Sequence, residues 1–172
     1  MNLYTIKQVN EMDDSLFVEV FGVIYEHSEW IASEALKSRP FANLNDMLDC
    51  FRVILDQSND AVKLALLRAH PELAGKEAEH GQLTNESLNE QSSVGLNSLE
   101  AEQLSELKRF NALYMDMFKF PFIIAVKNHS KDEIFKQMAL RIKNCVEDEF
   151  EEALKQVDNI AKIRIHNLVQ SH

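Results

Sequence analysis

Apolar residues recur along most of this chain at the three- and four-residue spacing of an amphipathic helix. The first predicted helix runs from residue 14 to about 25 and turns Leu16, Val20 and Val23 inward. Capping residues, such as the Ser130–Glu133 box, mark helix starts, and glycine or proline marks helix ends. The further predicted helices cover residues 28–38, 43 to at least 55, 58–70, 84–94 and 98–118, with one beginning at 130 and a last one running from about 145 to the C-terminus.

One apolar run does not fit this pattern. Residues 118–126 contain Pro121 and lack helical spacing, and a lone strand would have nothing to pair with. We therefore expect a buried extended segment near 119–126. The chain has 172 residues, 45% of them hydrophobic, with only four Gly and three Pro. This composition favours an all-α fold, a compact single-domain helical bundle of roughly seven to nine helices over residues 1–172.

Charge and cysteine content narrow the class of protein. The net charge of −10 argues against nucleic acid as a partner, because phosphate binding needs clustered Lys and Arg. No apolar stretch approaches the roughly 18 residues of a membrane span. Cys50 and Cys145 are too few for a disulfide scaffold, and the N-terminal residues lack the pattern of a signal peptide. We expect a cytoplasmic protein.

Several polar side chains are candidates for chemistry. His70 lies at a predicted helix end and is followed by Pro71, which fixes the backbone there. It either moves a proton or only bonds nearby carbonyls. Ser87, Glu90 and Gln91 share one helical face. Ser87 and Glu90 also form a possible capping box, although Thr84 precedes them as an equally good cap.

Two arginines lie on otherwise apolar helix faces. Arg164 falls within a stripe where an unpaired buried cation would be costly, so we expect an anionic partner for it, either a structural carboxylate or a ligand. Arg141, beside Met138 and Ile142, is a candidate for a purely structural role. The residues of the Arg164 stripe are Phe150, Leu154, Val157, Ile160 and Leu168.

Metal and cofactor chemistry have little support in the sequence. Glu77 and His80 form a single ExxH pair, whereas a di-iron bundle needs two pairs and further glutamates. No HExxH motif, phosphate-binding glycine loop or GxSxG turn is present. The apolar stripe of Phe110, Leu113, Tyr114 and Met117 is interpreted as core. Cofactor-free chemistry is the simpler hypothesis.

Taken in order, these motifs resemble the family of 2-oxo-4-hydroxy-4-carboxy-5-ureidoimidazoline (OHCU) decarboxylases of urate breakdown. The resemblance covers nearly the whole chain. It departs from the usual family pattern at Lys119, where glycine is usual, and at Val94, where alanine is usual. The matching stretches are Arg39-Pro40-Phe41, Ala69-His70-Pro71-Glu72-Leu73-Ala74-Gly75, Leu83-Thr84-x-x-Ser87-x-x-Glu90-Gln91, Gly95-Leu96, Phe110-Asn111-x-x-Tyr114, Phe120-Pro121-Phe122-Ile123, Arg141 with Asn144, and Ile160-Ala161-x-x-Arg164.

The resemblance implies an all-helical homodimer that removes CO2 from a small-molecule substrate, giving (S)-allantoin without a metal or organic cofactor. It implies His70 as the catalytic acid-base residue, with Glu90 nearby, and we expect both to meet Arg164 around one enclosed cavity. The residues it implies for substrate binding are Pro71, Ser87, Leu88, Asn89, Glu90, Gln91, Phe122, Ile123, Ile124, Ala125, Val126 and Arg164.

Two alternatives belong to other classes of protein. One is a non-catalytic acidic helical module that binds a basic protein partner, which predicts an exposed groove and no enclosed polar pocket. The other is a metal-dependent bundle enzyme that uses Glu77 and His80.

Overall fold

Helices dominate the part of the chain that the computed structural model describes, residues 3–171, which confirms the all-α prediction. Within those residues there are ten α-helices and no named strand, and the only β-type pairing is an isolated bridge between Tyr4 and Val169. The helices are α1 (Ile6–Glu11), α2 (Asp14–Phe21), α3 (Glu29–Ala35), α4 (Leu44–Asp56), α5 (Asp60–Ala69), α6 (Lys76–Glu79), α7 (Asn85–Ser93), α8 (Ala101–Phe118), α9 (Lys131–Arg141) and α10 (Val146–His166).

The ten helices of residues 3–171 exceed the seven to nine expected, because two of them are too short to show the apolar spacing of a helix. The helix α1 has six residues and α6 has four, too few for a repeating apolar face. Local chemistry nevertheless marks α1, since Thr5 and Gln8 form a capping box at its start.

Most other helices begin and end where capping chemistry predicts. The Asn43 side chain accepts a hydrogen bond from the Asp46 N–H at 3.0 Å at the start of α4. Ser130 forms the expected capping box with Glu133 before α9. There are exceptions: α8 begins three residues later than the predicted start at Ser98, with Glu100 as its cap, and α2 ends at Phe21 rather than near residue 25.

The predicted buried face of α2 is wrong. Phe17 and Phe21 are buried, whereas Leu16 and Val23 are 37% and 43% exposed. The helix α2 ends at Phe21, so Val23 is not part of its face, and within the helix the larger Phe17 and Phe21 side chains, rather than Leu16, fill the core.

The buried face of α8 is rotated away from its most apolar stripe. Tyr114 is buried as expected, but Leu113 and Met117 are exposed. The core face instead includes the polar Asn111, with Leu107 and Phe118. A buried asparagine makes this face look polar in the sequence, which is why the spacing favoured the wrong stripe.

The chain divides into two compact units. One comprises the residues up to Leu66 and those from Asp158 onward, and the other comprises Leu67–Val157. The first has an aromatic cluster of Phe17, Phe21, Tyr25, Phe41 and Phe51. The second has a cluster of Tyr114, Phe118, Phe120, Phe122 and Phe150. The single domain expected from the sequence stays a prediction.

The extended segment is confirmed. Residues 120–126 are all buried, and no helix forms before the 3₁₀ turn Val126–Asn128. Among residues 3–171, no helix has both the length and the apolar character that a bilayer crossing requires.

Lys119 takes a left-handed backbone conformation that glycine adopts more readily than other residues. It ends α8 with φ 63° and ψ 21°, and its N–H bonds the Met115 carbonyl at 3.0 Å. Its own carbonyl accepts a hydrogen bond from the Arg68 guanidinium at 2.9 Å. The left-handed turn is therefore kept with a lysine in place, at a steric cost that glycine would avoid.

We predict that Lys119→Gly raises the free energy of unfolding by about 0.5–1 kcal/mol, because glycine adopts positive φ without a Cβ clash. Lys119→Val is expected to lower it by about 1 kcal/mol, since a β-branched residue is strained there. Urea denaturation measures both. A glycine variant less stable than the parent chain contradicts this account.

Candidate active site

His70 lies at the carboxyl end of a helix, as predicted. The helix α5 ends at Ala69, Pro71 follows, and the His70 N–H still bonds the Leu67 carbonyl at 3.3 Å. His70 is only 9% exposed. The imidazole is therefore held within the unit Leu67–Val157, between the helix end and the restricted backbone of a proline.

The helix α7 buries three polar side chains on one face. Ser87, Glu90 and Gln91 are 6–9% exposed, whereas Leu88 and Asn89 are exposed. The Thr84 hydroxyl accepts a hydrogen bond from the Ser87 N–H at 3.3 Å, so Thr84 is the cap and the Ser87–Glu90 capping box is wrong. This leaves Ser87 and Glu90 inside the helix rather than at its start.

Two carboxamides fasten the segment after His70 to its neighbours. The Ala74 N–H donates to Gln91 Oε1 at 2.9 Å, and Asn111 Nδ2 donates to the Leu73 carbonyl at 3.0 Å. Ala74 has φ 45°, which costs an alanine about 1–2 kcal/mol. Both bonds are made by the single Leu73–Ala74 peptide group, which precedes the strained residue, and they tie the His70 segment to α7 and α8.

Asn111 is the residue that sequence reasoning undervalued. It entered only as part of a resembling stretch, without a role. The structure places it on the buried face of α8, and its Oδ1 atom is buried with no hydrogen-bond partner in the described part of the chain. The available signal was a polar residue four positions after Leu107, on the face that also carries Tyr114.

The extended segment is held by side chains rather than by other backbone. Arg141 Nη1 donates to the Ile123 carbonyl at 2.8 Å, and the Ala125 N–H donates to Gln156 Oε1 at 3.1 Å. The helix α7 packs against the 3₁₀ turn that follows the segment. Within this unit, the structure thus brings the polar face of α7 close to the end of the segment 122–126.

Arg164 lies in the other unit and has a carboxylate partner. Its Nη1 and Nη2 atoms are 3.2 and 3.3 Å from Glu26 Oε2. Nη1 also bonds the carbonyls of Val23 and Ile24. Both charged groups are buried. The expected anionic partner is therefore present as a structural carboxylate, while a cavity shared with His70 and Glu90 stays a prediction.

The described residues 3–171 contain no cluster of three or more His, Cys, Asp or Glu side chains suited to a metal ion. Glu77 and His80, the pair considered for a metal, belong to no such group.

Burial and the neighbouring Glu77 carboxylate raise the pKa of Glu72, which lies in the segment after His70.

We predict that Asn111→Leu lowers the free energy of unfolding by about 1–3 kcal/mol, because it leaves the buried Leu73 carbonyl without a donor. Asn45→Leu, at an exposed helical asparagine of α4, is the matched control and should stay within about 0.5 kcal/mol of the parent chain. Chemical denaturation provides both values. If the two variants are equally stable, the hydrogen bond from Asn111 to the Leu73 carbonyl does not stabilise the fold.

Comparison with known proteins gives a consistent result. A family model described as OHCU decarboxylase matches residues 10–166. The decarboxylase of that name from Haloferax volcanii is 38% identical over 165 residues, which are 96% of each chain. The Mus musculus decarboxylase is 36% identical over 165 residues, 96% of this chain and 93% of its own.

Among solved structures, that of an (S)-allantoin synthase superposes with a TM-score of 0.78 at 27% identity. The match covers 96% of this chain, which spans about half (54%) of that protein.

Proposed function

The chain belongs to the OHCU decarboxylase family, and we propose that it converts 2-oxo-4-hydroxy-4-carboxy-5-ureidoimidazoline into (S)-allantoin and CO2 in urate breakdown. The observation that carries this proposal is the match over residues 10–166, which includes His70, α7 and Arg164. Because the match spans both units, we also propose that residues 1–172 act as one functional domain.

The buried polar face of α7 supports an enzyme rather than an interaction module. Burying a polar side chain is unfavourable unless it is hydrogen-bonded or used. His70, Ser87, Glu90 and Gln91 are all buried within one unit. An exposed acidic groove for a protein partner has no need for such a cluster, whereas a site for a small polar molecule does.

The substrate supplies its own electron sink. Its carboxylate is attached to a hydroxyl-bearing ring carbon next to a C=N bond. When the bond to CO2 breaks, its electron pair forms a C=C bond and the ring nitrogen takes up a proton. Loss of the hydroxyl proton and protonation of the ureido-bearing carbon then give allantoin. The proposed reaction therefore needs proton transfer and orientation, and no cofactor.

We assign the proton transfers to His70 and Glu90. His70 accepts the hydroxyl proton or delivers one to the ring carbon. Glu90 orients the imidazole and stabilises its protonated form. Protonation from one fixed face gives a single enantiomer. Substrate contacts are assigned to Pro71, to the residues 87–91 and to the backbone of the segment 122–126, which offers peptide groups to the planar ureido and ring amides.

Arg164 is assigned to substrate binding through its positive charge. If it holds the carboxylate equally in ground and transition states, it lowers KM without raising kcat. It raises kcat only if its interaction with the substrate becomes stronger as negative charge moves onto the ring in the transition state. Its ion pair with Glu26 is compatible with either role, because a fixed guanidinium needs no reorganisation during the reaction.

Assembly and location follow from the family resemblance. We propose a homodimer, supported by Leu113 and Met117, which expose apolar surface four residues apart on α8. We propose a cytoplasmic location, supported by two cysteines that are both free, Cys50 and Cys145.

The direct test is stereochemical. Generating the unstable substrate from urate with the two upstream enzymes and then adding this protein should give rapid optical activity from one enantiomer of allantoin. Spontaneous decay of the substrate gives racemic allantoin. The proposed reaction is refuted if optical rotation develops no faster, and with no greater excess of one enantiomer, than in a reaction without this protein.

We predict that His70→Ala loses most turnover, by about 10²–10⁴-fold, while the fold is kept, since general acid-base groups contribute that much. The matched control is His80→Ala, at an exposed histidine in the same unit, which should retain the parent rate. The initial rate of optical rotation at saturating substrate measures both. Near-normal activity of His70→Ala removes His70 from the mechanism.

We predict that Glu90→Gln slows kcat by at least about 10²-fold, because the amide carries no charge to stabilise an imidazolium. Glu86→Gln, one turn earlier on α7, controls for the loss of a carboxylate from this helix. Steady-state kinetics separate the two. An unaltered Glu90→Gln rate means that this carboxylate has only a structural role.

A further inference from the structure

A completely buried carboxylate lies at the centre of a polar network that the proposed mechanism does not use. Glu149, on α10, has no exposed surface. Its Oε1 atom accepts hydrogen bonds from Arg141 Nε at 2.9 Å, from Arg141 Nη2 at 2.5 Å and from the Tyr114 hydroxyl. Its Oε2 atom accepts one from Asn144 Nδ2 at 2.8 Å. Both carboxylate oxygens are therefore satisfied.

The network ends on the extended segment. The remaining terminal nitrogen of Arg141, Nη1, donates to the Ile123 carbonyl at 2.8 Å. The guanidinium carbon lies 4.5 Å from the ring centroid of Phe122, the preceding residue. One planar group thus binds Glu149 on one side and the segment on the other. Its geometry is rigid, because a guanidinium is a fixed fork of donors.

This arrangement sets the direction of one peptide group. A trans peptide is planar, so its N–H points opposite to its carbonyl. With the Ile123 carbonyl aimed at Arg141, the N–H of Ile124 points away from Arg141. Within residues 3–171 no protein group accepts a hydrogen bond from that N–H, although Ile124 is a buried residue. Buried N–H groups without a partner are rare in proteins.

Stability alone is a weak explanation for the network. A buried ion pair repays its desolvation only partly, and apolar residues of similar volume often serve as well. Burial and the bond to Glu149 raise the pKa of Tyr114, so its phenol remains a donor to that carboxylate. The hydrogen bonds of the cluster therefore hold the Tyr114 hydroxyl, the Glu149 carboxylate and the Arg141 guanidinium in one relative orientation.

We propose that Arg141, held by Glu149, is a positioning residue that aims the Ile124 N–H at a carbonyl oxygen of the bound ureidoimidazoline. This inference rests on the proposed function. It assigns to the segment 122–126 a defined donor, and it assigns to the Arg141–Glu149 pair a role in substrate binding rather than in proton transfer.

The test compares two arginines with matched surroundings. Arg39 also bonds backbone carbonyls, pairs with Asp14, and lies 5.0 Å from the ring centroid of Phe17, but it belongs to the other unit. Arg141→Lys keeps the positive charge but loses the planar guanidinium, which donates to Glu149 and to the Ile123 carbonyl at the same time. We expect its KM to rise about tenfold, as for one lost hydrogen bond, with kcat changed less than about threefold. Arg39→Lys should leave KM unchanged.

Tyr114→Phe is a second variant in case Arg141→Lys does not fold. It removes one donor to Glu149 with almost no change in shape, and we expect KM to rise about threefold, as for a weakened hydrogen bond. An unchanged KM in a folded Arg141→Lys or Tyr114→Phe protein overturns the proposal, as does an equal rise in Arg39→Lys.

The parent chain is assayed first. If it yields no excess of one enantiomer, the proposed function fails before any variant is measured, so the two failures are distinguishable.

Discussion

The buried Glu149 carboxylate is the constraint on which the architecture of the Leu67–Val157 unit depends. The segment 120–126 is buried but belongs to no helix or sheet, so its peptide groups lack regular partners. Glu149 fixes Arg141, and Arg141 binds the segment at Ile123. Removing one charge of this pair would leave the other buried without compensation, which costs about 3–5 kcal/mol in comparable cases. The aromatic cluster around Tyr114 packs on the same segment.

Arginine performs the same task elsewhere in the chain. Arg39 bonds the Met12 carbonyl just after α1, Arg164 bonds the Val23 carbonyl after α2, and Arg68 bonds the Lys119 carbonyl at the end of α8. Helix ends leave carbonyls without intrahelical partners. In a fold of many short helices such groups are frequent, and a guanidinium with five donors satisfies several of them at once. The acidic residues Asp14 and Glu26 neutralise two of these cations.

Local strain lies close to the proposed catalytic histidine. Ala74, four residues after His70, has positive φ, and the peptide group before it is bonded by both Gln91 and Asn111. Strained backbone persists only where surrounding contacts over-determine it. The proposed acid-base group therefore lies on a segment that is bonded to both α7 and α8 at one peptide group, which suits a reaction that must protonate one face of its intermediate.

The sequence by itself determined the helical class, the extended segment and most helix ends. The sequence predicts Thr84 and Ser130 as helix caps because capping joins residues only about three positions apart. The buried faces of α2 and α8 were not predictable from spacing, since a polar core residue such as Asn111 disguises the face. Only the tertiary structure decided that Arg164 meets Glu26, 138 residues away in the chain. Packing chooses such partners, and no short-range pattern in the sequence encodes them.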